Sequence, residues 1–303
     1  MFLWQLTGSM WVTSAAQLPL GRGYANSIVG SDWYSGSWNR RVELTIDNAQ
    51  VDDDLTDYPV YVDLGDLPTS FFTNVQGDGD DIRVTESDGL TELAREIVSI
   101  STTSESGELH VKMDLSSTTD TSFYIYYDNP SASGYAEGDT YGAENVWTNN
   151  YLAVFHLEEE EAGTGNANVY KDSSSGDYDG DDETSATSQD GQIGAGQQFN
   201  VSTTGDYLDL PYLILDGESD VTTSWWHRSS TTGQQAIVSG ATGPGSTGNN
   251  EFLLFYNTTT EFRFYNDTAN NSITVTNHAD DLWHAFSVRR DDSNNQTDYY
   301  FDG

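Results

Sequence analysis

Cysteine is absent from the 303 residues, so the chain has no disulfide framework, no thiolate nucleophile and no cysteine-based zinc site. Lysine is almost absent too, occurring only as Lys112 and Lys171. Asp and Glu number 49 against 11 Lys plus Arg, for a formal charge of -38. A surface of that sign cannot neutralise phosphates, which argues against nucleic acid as a partner and disfavours anionic membranes. Self-repulsion on this scale is screened within a few ångströms only in concentrated salt. The composition therefore points to a high-salt environment. Long apolar runs are also missing, and nothing approaches the roughly 20 residues of a spanning helix, so no membrane insertion is expected. Helix signals are scarce: only "LPTSFFTNV", with Pro68 and Thr69 as starters, promises a turn or two.

Hydrophobic residues make up 36% and aromatics 13% of the chain, spread along its length, which favours a folded over a disordered protein. Their pattern is alternation. "RVELTID" sets Val42, Leu44 and Ile46 against polar neighbours, and "ELHVKMD" does the same with Leu109, Val111 and Met113. "YPVYVDL", "SFYIYYD", "YLAVFHL", "EFLLFYN", "EFRFYND", "SITVTN", "WHAFSVRR" and "TDYYFDG" continue the series between Gly, Asp, Asn and Ser clusters. Short strands at this spacing predict an all-β chain of antiparallel sandwiches or jelly rolls, with no βαβ units. A boundary is expected near Trp147 to Tyr151, where a polar, Gly-rich stretch separates two groups of strands.

The first 32 residues stand apart. "MFLWQLTGSM" followed by Ser14, Ala15 and Ala16 is open to two readings, a signal-peptide remnant or an ordinary N-terminal strand. Five N-x-[ST] triplets, at Asn200, Asn257, Asn266, Asn270 and Asn295, are compatible with export.

Two resemblances extend this reading. "WYSGSWNRRVELTIDN", "LTDYPVYVDL", "GDGDDIRVTESDG", "LAREI" and "SFYIYYDNPSAS" resemble, in order, a β-rich domain family of unknown function from archaeal and bacterial surface proteins. Asp128 stands where that family usually has Gly. From Tyr151 onward, "YLAVFHLEEE", "GQIGAGQQFN", "GDYLDLP", "VTTSWWHRSS", "DDLWHAFSVRRDD" and "YYFDG" resemble a laminin-G-like, concanavalin A-like jelly roll. The tandem implies a β-sandwich over 33–147 and a jelly roll over 148–303. In such jelly rolls the final turn is followed by further strands, so the resemblance implies an incomplete domain, with 297–301 on an unpaired edge.

Candidate chemistry follows from these folds. Enzymes resembling the jelly roll carry alternate carboxylates on one strand, Glu-x-Asp-x-x-Glu, which is missing here. Glu158 to Glu161 are consecutive and read as the solvated end of a strand. His156 reads as part of that strand, and the remaining histidines show no zinc spacing. "KDSSSGDYDGDDE" offers Asp172, Asp177, Asp179 and Asp181 for calcium, although EF-hand register is lacking and any loop of so acidic a chain looks similar. "QGDGDD", Gln76 to Asp81, reads as a hairpin turn. Among the aromatics, Trp225, Trp226 and Trp283 are candidate sugar platforms; Trp225 and Trp226 must point to opposite faces, so one of them belongs to the core. The sequence thus leads to a non-catalytic recognition or adhesion module of a secreted, cell-surface or virion-surface protein, with glycan or a surface protein as partner. A glycan-cleaving enzyme and a structural spacer are the alternatives.

Overall fold

The computed structural model describes residues 2–5, 20–26, 32–159, 163–184, 186–199, 206–211, 214, 220–239, 253–265, 270–275, 278–291 and 293–302. The protein is all-β, of the antiparallel sandwich class, as the alternation predicts. Two compact units divide it: an N-terminal unit of Ala15–Asn149 with Ser173–Ser175, and a C-terminal unit of Met1–Ser14, Asn150–Asp172 and Gly176–Gly303.

In the N-terminal unit a four-stranded sheet runs in the order Leu20–Asn26, Arg40–Ile46, Thr121–Tyr127, Arg83–Glu86. A three-stranded sheet runs Leu55–Asp63, Ser106–Leu115, Arg95–Ser101. Alternate residues of both sheets form one core, with Val42, Leu44, Ile46, Phe123, Ile125 and Val84 from the first and Val60, Val62, Leu109, Val111 and Met113 from the second. Pro59 sits in an outer strand of its sheet, where a missing N–H breaks no inner ladder. Nearby, a register shift between Leu55 and Tyr58 accommodates Asp57 at φ 51°, whose N–H donates to Asp114 Oδ1 at 2.8 Å. A short α-helix of this unit, Thr69–Asn74, buries Phe71 and Phe72. Gln76–Asp81 is not a hairpin turn. It joins that helix to the strand Arg83–Glu86, because the buried Asp81 carboxylate draws the loop in by accepting from Gln76 N and Asn129 N. Gly89 has φ 71° in a turn where a Cβ would lie 2.1 Å from Asp32 O, so glycine is required there.

In the C-terminal unit a five-stranded sheet runs Gln296–Phe301, Trp283–Asp291, Asp220–Arg228, Phe2–Gln5, Tyr151–Phe155. Phe2–Gln5 therefore pairs on both sides as an inner strand. Gln296–Phe301 forms an edge of this sheet. A four-stranded sheet of Gln235–Ser239, Leu253–Thr258, Glu261–Tyr265 and Asn270–Thr274 supplies Leu254, Tyr256, Phe262 and Phe264 to a core shared with Trp225, Phe286 and Val288. Smaller sheets of three and two strands complete the unit among the described residues. No described helix is long and apolar enough to cross a membrane.

Candidate functional site

Strands Asp220–Arg228 and Trp283–Asp291 pair antiparallel, with Trp225 opposite Phe286, Trp226 opposite Ala285, His227 opposite His284 and Arg228 opposite Trp283. Side chains directly opposite one another share a face, and successive residues alternate. Two constellations result.

The inner face carries Trp225, His227, Phe286 and His284. Trp225 is 3% exposed, stacked on Phe286 at 5.4 Å with its plane 10° from parallel, and so offers no ring face to a ligand. Next along this face three of the five histidines of the chain converge. His227 stacks on Tyr256 at 5.0 Å, His278 stacks on the same ring at 3.6 Å, and the two imidazoles are 6.0 Å apart. His278 Nε2 lies 3.2 Å from Thr258 O, a carbonyl that can only accept, so the proton sits on Nε2 and Nδ1 bears a lone pair. Burial, together with repulsion from His278 and His284, lowers His227 to about 4. Burial lowers His278 as well, and raises the Tyr256 phenol. Both imidazoles are therefore neutral at pH 7.

His284 has the opposite character. Its Nδ1 is 2.7 Å from Asp302 Oδ2 and its Nε2 is 3.1 Å from Asp280 Oδ1. Burial works against its charge, yet hydrogen bonds to Asp302 and then Asp280 overcome it and raise its pKa. Asp302 Oδ1 also accepts from Ala285 N at 3.0 Å. With both ring nitrogens committed to carboxylates, His284 has no lone pair with which to take a proton from a substrate.

The outer face carries Trp226, Arg228 and Trp283. Arg228 places its guanidinium 5.3 Å over the Trp283 ring and 3.6 Å from Asp281 Oδ1. Asp281, at φ 65°, is held in place by its own N–H, which donates to Ser229 O at 3.0 Å. Leu282 beside it is 61% exposed. Trp226 and Trp283 are half-buried and occupy diagonal positions of the strand pair. The result is an accessible strip in which aromatic and cationic groups on the ladder adjoin an anionic and an aliphatic side chain of the loop just before Trp283.

Three of the four aspartates proposed for calcium accept hydrogen bonds from backbone N–H groups. Asp172 is buried, with Oδ1 accepting from Val154 N at 2.9 Å and Oδ2 from Tyr178 N at 3.0 Å. Asp179 accepts from Asp172 N and pairs with Lys171, and Asp181 accepts from Asn168 N at 2.9 Å. Asp177 is exposed at φ 53°. Asp172, Asp179 and Asp181 thus tie this segment to nearby backbone. Glu158 and Glu159, expected to be solvated, are half-buried instead and accept from Ala195 N and Lys171 N. Glu160 and Glu161 lie outside the described residues. The histidine convergence and the Arg228–Asp281 pair escaped the sequence reading. The signal for both was the repeated dipeptide Trp-His, at 226–227 and 283–284, on two strands that pair.

A scan against protein-family models, a search of curated proteins and a search of solved structures each found no match for this chain.

Proposed function

We propose that the chain is an extracellular, non-catalytic recognition module that binds glycan through the outer face of Trp226, Arg228 and Trp283. The observation carrying this reading is that two tryptophans and a guanidinium on one face of a strand pair share an accessible strip with a carboxylate of the adjoining loop. Indole faces stack on the C–H faces of a sugar ring, while Arg228 and Asp281 offer directional donors and acceptors for its hydroxyls. Rigid strands hold these groups without an ordering cost on binding. His284 is saturated by two carboxylates, and His227 and His278 are stacked into the core, which supports binding without proton transfer. The tandem resemblance to surface-protein domains and the acidic composition support a secreted or surface location in concentrated salt. The test is a glycan array in concentrated salt with the wild-type chain, Trp226→Ala and Trp283→Ala. The expected result is wild-type binding that both variants lose, and binding that survives both substitutions would contradict it.

A further inference from the structure

In the N-terminal unit, Glu92 is the acceptor at the centre of a buried polar network. Tyr34 donates to Glu92 Oε2 at 2.6 Å, Tyr135 donates to Oε1 at 2.9 Å, and Arg83 Nε lies 3.6 Å from Oε1. Arg83 spends its remaining donors on carbonyls, those of Asp80, Ile82 and Ser133. Its charge is thus paired and both terminal nitrogens have acceptors, while its Nε, at 3.6 Å from Glu92, makes no hydrogen bond among the described residues.

Arg95 is not satisfied in this way. It is 4% exposed, yet its guanidinium makes one hydrogen bond among the described residues, a 3.4 Å contact from Nη1 to Tyr141 O. Its Nε is buried with no acceptor among the described residues. Tyr135 lies under both guanidiniums, 4.3 Å from Arg83 and 4.9 Å from Arg95. A ring over the face of a guanidinium compensates part of its charge but accepts none of its in-plane N–H groups. Burial and repulsion from Arg83 pull Arg95 down to about 10, which still leaves it a cation at pH 7. Two guanidiniums share the one Glu92 carboxylate, so a positive charge with unused donors is left inside the unit. A buried charge in that state is strongly unfavourable unless something pairs with it. In a chain whose surface repels anions, it is also a place where one is attracted.

We propose that Arg95 is the receiving side of a binding site for a small monovalent anion of the halide class, with Arg83 and Tyr135 forming its wall. One unbalanced positive charge selects a monovalent over a divalent ion, and burial selects a small one. In concentrated chloride the site would be filled, which links the stability of this unit to the anion rather than to ionic strength alone.

The experiment uses crystals of the full chain soaked in sodium bromide, for the wild type and Arg95→Lys, with melting compared in chloride and gluconate at equal ionic strength for the wild type and Arg95→Met. The expected results are an anomalous bromide peak within hydrogen-bonding distance of the Arg95 side chain, lost in Arg95→Lys, and a higher melting temperature in chloride than in gluconate that Arg95→Met abolishes. Bromide peaks elsewhere but none at Arg95 would overturn the proposal, as would an equal chloride effect in wild type and Arg95→Met. If Arg95→Met fails to fold, the bromide map of the wild type decides alone.

Discussion

His227 provides a test of the inner constellation through acid. An unfolded histidine protonates near 6.5, whereas folded His227 stays neutral down to about 4. As pH falls through this interval the unfolded chain gains protons first, so stability present above 6.5 is progressively lost. From this interval the loss attributable to His227 is about 2 kcal/mol at pH 5 and about 3 kcal/mol at pH 4. His278, lowered by burial, acts in the same direction, and His284, whose pKa is raised, acts in the opposite one. His227→Phe isolates the single contribution, because a phenyl ring keeps the stacking on Tyr256 and cannot titrate. The assay is hydrogen exchange of the Trp283–Asp291 amides, which pair directly with the strand carrying His227. Wild type and variant are compared at the same pH and salt, so the general effect of protonating carboxylates cancels. Relative to its own behaviour at pH 7.5, the wild type is expected to lose about 30-fold more protection at pH 5 than the variant does. Equal losses in the two proteins would refute the burial of a neutral His227.

Other substitutions test the remaining parts of the account. Trp225→Ala should lower stability by about 3–5 kcal/mol in urea unfolding, because it empties a site packed by Phe286 and Phe262. Trp283→Ala, on a half-exposed residue, should cost no more than about 1 kcal/mol in the same measurement. Asp172→Ala strips the acceptor from Val154 N and Tyr178 N and should cost about 1–3 kcal/mol, with faster proteolysis of the loop between Asp172 and Tyr178. Protease resistance of that loop in EDTA and in calcium tests the metal reading of Asp172, Asp177, Asp179 and Asp181: a calcium-dependent gain supports it, and equal resistance contradicts it. Glu92→Gln removes the carboxylate facing Arg83 and should destabilise the N-terminal unit by about 3–5 kcal/mol, read as lost exchange protection in strand Arg83–Glu86.

Much of the fold can be read from local pattern, because a period of two is written into each strand. Val42, Leu44 and Ile46 alternate in the sequence and all three are buried in the structure. The site was harder to read, since its geometry depends on which strands meet. Alternation requires one of Trp225 and Trp226 to point inward, but only the pairing with Phe286 and Ala285 decides that it is Trp225. His227 lies on a strand and His278 in the loop between Asn270–Thr274 and Trp283–Asp291, and no local spacing encodes their approach. Asp172 and its neighbours read in one dimension only as oxygen donors of a Gly-rich loop. The backbone N–H groups they satisfy become visible only when the loop is folded. Arg95 shows the same limit, since nothing in its local sequence announces that the fold buries its guanidinium against Tyr135.

The central claim, that the outer face of the paired strands recognises sugar, is tested most directly by Trp283→Ala on a glycan array in concentrated salt, with urea unfolding run in parallel. The account predicts a variant that keeps wild-type stability within about 1 kcal/mol and loses glycan binding at least tenfold. Undiminished binding by a folded variant, or no glycan binding by the wild type, would contradict it.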